Sequence, residues 1–343
     1  SFYNLSNPYQ VFGETGVCLS IFPFRYHPNQ DSLTVLTHVS FVITYNGIGQ
    51  SETRTAMEST GLTDETASFL SALFDNELTS TKSTYIPIFN RYLIITAPEF
   101  LNGIGYFANY KRNLGYDVTV VTTDETGTSK VMLLNYILTK AADFQTRPFY
   151  ILLVGNYTRI PAFGDTTPGL DFNDNPLSDL YYTLFNENDY LPDALIGRFP
   201  AESDYELLNM CNKTIYMETN LSHVAKKAKL AAGNDPYNSY MQMKFNQCME
   251  HISDRGFNRQ GYSCQKLYQP LFFDWINAVN DNPTFCVYTG HGGETSYNYI
   301  AEENLRSLTN NIYPFMFAWA CLTGNFANSS NIGAGWIKSN HGA

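Results

Sequence analysis

Thr284-Phe-Cys-Val-Tyr-Thr-Gly-His291 and Pro314-Phe-Met-Phe-Ala-Trp-Ala-Cys321 decide the reading of this chain. Each is a short apolar run, rich in aromatic and β-branched residues, and each ends in a chemically active side chain with glycine close behind. Runs of this kind suit strands covered on both faces, as in a parallel sheet under helices. The 22 residues between them, Gly292 to Tyr313, include a helix-like stretch, Glu302–Ser307, and are long enough for one crossover. If the strands are parallel, His291 and Cys321 emerge at the same edge. Open α/β sheets place their chemistry beyond the carboxyl ends of their strands. The first expectation is therefore a Cys–His site.

Upstream, the same alternation recurs. Strands are expected at Tyr92–Thr96, Asp117–Thr122 and Phe149–Gly155, within Asp189–Ala201, and at Lys226–Ala232 and Tyr262–Leu267. Helices are expected at Glu99–Leu114, Ser129–Ala142, Ser203–Glu218, Ser239–Arg255, Leu271–Ala278 and Ile332–Lys338. This is the signature of a doubly wound, mostly parallel α/β sheet. No glycine fingerprint follows the first strand, which argues against a dinucleotide site. Residues 1–50 read instead as β, with Leu33–Tyr45 alternating apolar and polar. Residues 47–84 are rich in Gly, Ser and Thr, with one helix near Asp64–Phe74. The division is thus a smaller β-rich N-terminal region with its linker, 1–85, and an α/β domain, 86–343. No further strand follows the last helix, so the sequence reads as a piece of something longer.

Composition narrows the class. The 343 residues are 44% hydrophobic and 15% aromatic, with 25 Tyr and 24 Phe. Only 15% are charged, against a usual ~25%. Such a chain fits an extracellular or bacterial cell-surface protein. The net charge of −11 excludes a general nucleic-acid or anionic-membrane binder. No apolar run approaches the length of a membrane-spanning helix. Six cysteines without a Cys-x-x-Cys pair form neither a disulfide scaffold nor a zinc knuckle. A Cys248–Cys264 disulfide stays open. The chemistry expected of a Cys–His site requires no cofactor. The acid-rich stretch Asn156–Asp193, with Asp165, Asp171, Asp174, Asp179, Glu187 and Asp189, is compatible with Ca²⁺ as a structural ion, against the plainer reading of a solvated loop.

Five motifs then carry a resemblance. Tyr288-Thr-Gly-His-Gly-Gly-Glu-Thr295 and Trp319-Ala-Cys-Leu-Thr-Gly-Asn-Phe326 are joined by Asp179-Leu-Tyr-Tyr, Asn188-Asp-Tyr-Leu-Pro-Asp193 and Ile196-Gly-Arg-Phe199. In this order they resemble the gingipain family of cysteine peptidases, within the caspase-like clan, over residues from about 90 onward. Phe22 to Tyr45 resembles the end of the β-rich, pro-segment-like region that precedes the catalytic domain there. The resemblance implies a caspase-like fold and a cysteine endopeptidase. Cys321 matches the nucleophile, His291 the acid–base and Asp193 the acid that orients the histidine. The backbone amides of Gly292 and Cys321 match the oxyanion hole. Elementary chemistry agrees: a thiol attacks as thiolate and needs a base in reach, and a carboxylate behind an imidazole fixes its tautomer.

Glu294, close to the site, is a candidate second acid or substrate contact. Relatives that cut after Arg or Lys use an acid in the specificity pocket, and Glu202, Asp204 and Glu206 are candidates for it. The partner is a protein or peptide substrate. Two alternatives stand beside the endopeptidase: a sortase-like signal peptidase or transpeptidase of bacterial type IX secretion, working with other secretion or envelope proteins, and a non-catalytic envelope interaction module.

Overall fold

A computed structural model describes residues 2–6, 9–11, 14–42, 90–143, 146–164, 177–185, 191–297 and 300–343. The expected helix at Asp64–Phe74 lies outside the described residues, as do the boundary near residue 86 and the acids Asp165, Asp171, Asp174, Glu187 and Asp189.

The described residues of the N-terminal region form three short antiparallel pairs. These are β1 (Tyr3–Leu5) with β4 (Leu19–Ile21), β2 (Tyr9–Val11) with β3 (Glu14–Gly16), and β5 (Phe24–His27) with β6 (Ser32–Val35). The alternating stretch from Leu33 does not make the long strand its pattern predicts. Strand β6 stops at Val35 and residues 36–42 are irregular.

From Arg91 the chain alternates β and α, and the expected doubly wound sheet is divided in two. The first sheet has the order β10-β9-β7-β8, all parallel, from β7 (Arg91–Thr96), β8 (Asp117–Thr122), β9 (Tyr150–Val154) and β10 (Leu195–Phe199). The second has the order β12-β11-β13-β16, also all parallel, from β11 (Lys227–Ala232), β12 (Ser263–Tyr268), β13 (Phe285–Thr289) and β16 (Phe315–Trp319), with the short antiparallel pair β14 (Ser296–Tyr297) and β15 (Ile300–Ala301) between the last two in the chain. Among the described residues, six helices of seven residues or more flank them: α1 (Leu101–Asn113), α2 (Lys130–Ala142), α3 (Asp204–Asn220), α4 (Ser239–His251), α5 (Phe272–Asn280) and α6 (Ile332–Lys338).

Strands β7, β9, β11 and β13 are covered on both faces, as expected, whereas β16 is covered on one only: Phe315, Phe317 and Trp319 on its other face are about half exposed. Ile94, Leu152 and Val154 pack on Ile104 and Phe107 of α1 and Leu207 of α3. Their neighbours along the strands, Leu93, Ile95, Ile151 and Leu153, point the other way onto Leu133 and Ile137 of α2. In the second sheet Cys286 and Tyr288 face Trp275 and Val279 of α5, while Val287 and Leu230 face Met249 of α4. Each such side chain, fully buried, contributes about 1.5–3 kcal/mol. Helix ends follow local chemistry: Ser129, Ser203, Asn238 and Asn331 accept backbone N–H groups as N-caps. Gly115, at φ +91, turns the chain out of α1 in a conformation a side chain would resist.

Two of the family-like motifs meet in the first sheet. Arg198 of β10 donates from Nε and Nη2 to the two carboxylate oxygens of Asp179, at 2.8 and 2.7 Å. Its Nη1 donates to the carbonyls of Gly155 and Ile160. The two halves are joined through α3 and α6. Lys213 Nζ donates to Trp336 O at 3.1 Å, and Lys338 pairs with Glu202 at 3.0 Å.

Candidate active site

Register alone brings the opening residues together. Strands β13 and β16 pair from Phe285↔Phe315 to Thr289↔Trp319, and Gly290 N still donates to Trp319 O. His291 and Cys321 are each two residues beyond that last pair. Strand β11 lies on the other side of β13, ending at Ala232↔Thr289, with Gly233 N donating to Thr289 O. Three residues beyond Ala232 is Asp235. Three adjacent parallel strands therefore end together and carry an acid, an imidazole and a thiol on their outgoing loops.

The acid and the imidazole touch. His291 Nε2 donates to Asp235 Oδ2 at 3.0 Å. The other carboxylate oxygen of Asp235 accepts the backbone N–H groups of Tyr237 and Asn238, at 3.2 and 3.0 Å. Its own N–H donates to Gln242 Oε1, and Gln242 returns a bond to Gly233 O. The loop is thus folded around the carboxylate. Its side chain is only 9% exposed, whereas that of His291 is 63% exposed. The hydrogen bond from His291, then those from the two backbone amides, hold the Asp235 carboxyl below the usual carboxylate range. A carboxylate on Nε2 fixes the neutral tautomer that leaves Nδ1 as the free basic nitrogen. Phe245 of α4 meets the imidazole edge to face at 5.5 Å between centroids and restrains the ring's rotation.

Cys321 is exposed, as a nucleophile must be. The next residue, Leu322, has φ +61, the left-handed region that branched side chains avoid. The loop of His291 and the loop of Cys321 are in direct contact. A Cβ at Gly292 would lie 2.7 Å from Ala320 Cβ, 2.8 Å from Thr323 Cγ2 and 2.9 Å from Cys321 O. Only glycine allows this approach. The N–H groups of Gly292 and Cys321 make no hydrogen bond among the described residues, so both are available donors.

Asp193, expected to orient the histidine, is elsewhere. It precedes β10 at the amino end of that strand, in the other sheet. Its Oδ2 accepts the N–H of Phe185, and its N–H donates to Thr183 O. The carboxylate on His291 is that of Asp235, which the sequence reading passed over. The signal was present: Gly233-Asn234-Asp235 leaves the carboxyl end of a buried strand, whereas Asp193 stands before one.

Glu294 is not free to act as a second acid or to meet substrate. Its oxygens accept Asn325 Nδ2 at 2.6 Å and Asn328 Nδ2 at 2.8 Å. The specificity candidates cluster at the start of α3, and the structure does not bring them to the site. Glu206 accepts the N–H of Glu202 and faces Lys338, Glu202 pairs with Lys338, and Asp204 occupies the first turn beside Gly103. All six cysteines are unpaired, including Cys248 and Cys264. Burial pushes the thiol of Cys211 up to about 12 and that of Cys286 higher still. Among the described residues no group of three or more His, Cys, Asp or Glu converges to hold a metal ion. No helix among them is long and apolar enough to cross a membrane.

These features define an α/β protein with a thiol, an imidazole and a carboxylate on adjacent strand ends. The sequence model of peptidase family C25 matches residues 89–343, and the chain belongs to that family. Among curated proteins it is similar to gingipain R2 of Porphyromonas gingivalis, 25% identical over 337 residues, covering 94% of this chain and 44% of the relative. Lys-gingipain HG66 of the same organism is 24% identical over 324 residues, covering 90% and 18%. The chain therefore spans under half the length of these relatives. The crystal structure of the Arg-specific cysteine proteinase gingipain R shares the fold, with a TM-score of 0.62 and 24% identity over 76% of this chain and 61% of the other. A complex of the P. gingivalis RgpB pro- and mature domains aligns with a TM-score of 0.63 and 24% identity, over 73% and 60%. The fold is thus the α/β, caspase-like one expected from the sequence.

Proposed function

We propose that the protein is a cysteine endopeptidase working through Cys321, His291 and Asp235. The observation that carries this reading is the 3.0 Å bond from His291 Nε2 to Asp235 Oδ2, on strand ends adjacent to that of Cys321. Cys321 Sγ attacks the scissile carbonyl carbon as thiolate. The carbonyl oxygen takes the negative charge and meets the N–H groups of Gly292 and Cys321, each such donor being worth roughly 3–4 kcal/mol in the transition state. The C–N bond breaks, and the leaving amine takes its proton from His291. Water, deprotonated by His291, then cleaves the thioester and restores the thiol. Asp235 holds the imidazole in position and stabilises its charged form throughout.

Membership of family C25 supports the reaction class, and the low charge and high aromatic content support action outside the cell. The N-terminal β pairs, residues 2–42, are read as part of a pro-segment-like region preceding the catalytic domain.

Exposed Cys18 provides an internal reference for the test. Iodoacetamide labelling at neutral pH, mapped by mass spectrometry, is expected to modify Cys321 at least tenfold faster than Cys18, with the excess lost in His291→Ala. Cleavage of a peptide library is expected to vanish in Cys321→Ala. Cleavage that survives Cys321→Ala, or equal labelling of the two thiols, contradicts the proposal.

A further inference from the structure

The stretch after the nucleophile, Leu322 to Ser330, contains no helix or strand. It nevertheless begins with a left-handed leucine at φ +61. Such a conformation persists only where the surroundings over-determine it. Local bonds supply part of the restraint: Asn325 N donates to Leu322 O, and Thr323 Oγ1 donates to Ala320 O. A further part comes from Glu294 on the histidine's loop. We infer that Glu294 is a positioning residue that straps the nucleophile loop to the histidine loop and so sets the thiol against the imidazole. This inference rests on the proposed Cys–His chemistry.

The geometry is specific. Glu294 is three residues past His291. Its two carboxylate oxygens accept Asn325 Nδ2 and Asn328 Nδ2, four and seven residues past Cys321. Its backbone carbonyl accepts Asn331 Nδ2 at 3.1 Å and Ile332 N at 2.9 Å, which ties it to the first turn of α6 as well. The amides of Asn328 and Asn331 are not free to turn over. Asn328 Oδ1 already accepts Ser330 N at 3.0 Å, and Asn331 Oδ1 caps α6 by accepting Ala334 N at 3.0 Å. Three NH₂ groups therefore converge on Glu294, that of Asn331 on its carbonyl and those of Asn325 and Asn328 on its two side-chain oxygens, and a carboxylate accepts both of the latter. Glutamine would present one NH₂ to one of these donors. Glu294 makes no ion pair among the described residues, so amide donors alone hold its carboxylate. Two further contacts fix the same loops: Gly292 packs on Ala320 and Thr323, and the ring of Phe326 lies under the guanidinium of Arg198 at 5.2 Å.

The strap predicts an effect on thiol reactivity rather than on folding alone. The experiment is the pH profile, from 5 to 10, of iodoacetamide labelling at each cysteine in the full chain. The variants are Glu294→Gln, Asn325→Ala, Asn328→Ala and His291→Ala. In Glu294→Gln labelling of Cys321 at pH 6.5 is expected to slow about tenfold, toward the rate of Cys18. The profile of Cys18 stays in place. The asparagine variants move Cys321 in the same direction by less. Buried Cys211 and Cys286 report unfolding. If they become labelled in Glu294→Gln, the two asparagine variants decide the question. A Cys321 profile that His291→Ala alters and the strap variants leave unchanged overturns the inference about Glu294 alone. Cys321 no more reactive than Cys18 in the unaltered chain overturns both it and the proposed function.

Discussion

In the first sheet, the guanidinium of Arg198 is closed off by the two oxygens of Asp179 and two backbone carbonyls, with only 7% of its side chain exposed. In the second, His291 has one carboxylate behind it and 63% of its side chain in solvent. The two sheets share four parallel strands and helices on both faces, so layer architecture does not make the site. The difference lies in what the strand ends carry. Charges in the first half are spent on one another, as Arg198 on Asp179 and Lys111 on Glu218. At the carboxyl edge of the second half, one charge is paired so that the next group stays available. Function is set by such placements on a fold, not by the fold itself.

Arg198→Ala leaves Asp179 buried without its partner, which is expected to cost about 3–5 kcal/mol of stability. Urea unfolding measures it. A loss under 1 kcal/mol would show that the pair is not the internal tie described above. A smaller effect tests the seam between the halves. Burial lowers the pKa of Lys213 to about 7 from an ordinary 10.5. Below pH 7 the lysine is charged in both the folded and the unfolded chain, and folding bears the full cost of burying that charge. Between pH 7 and 10.5 the unfolded chain binds more protons, so stability rises with pH. Lys213→Met removes this rise. The difference in unfolding free energy between the unaltered chain and the variant should change by on the order of 3 kcal/mol from pH 6.5 to pH 10. A pH-independent difference would mean that the carbonyls of Trp336 and His341 solvate the ammonium as well as water does.

The fold was legible where the pattern was local. Asp117–Thr122, Glu302–Ser307 and Ile332–Lys338 occur as the sequence implies, because alternation, capping and apolar periodicity act over a few residues. Strand order is not local, and the division into two sheets could not be read. The chemistry followed the same rule. Cys321 and His291 stand out because each ends an apolar run with glycine close behind. The acid was misassigned for want of strand order: nothing in the sequence says that β11 lies beside β13. The direction of the strands did contain a clue. If chemistry gathers at carboxyl ends, an acid before a strand, such as Asp193, is a poorer choice than one just after a strand, such as Asp235. Glu294 was recognised as near the site, but its bonds to Asn325 and Asn328 depend on a loop whose path no periodicity describes.

The central claim is that the histidine's carboxylate comes from the end of β11. It is tested most directly by comparing Asp235→Asn with Asp193→Asn, using kcat/KM on a peptide that the unaltered chain cleaves. The expected result is a fall of roughly 10²–10⁴-fold for Asp235→Asn, with Asp193→Asn within about twofold of the unaltered chain. The reverse pattern, with Asp193→Asn crippled and Asp235→Asn active, would contradict it.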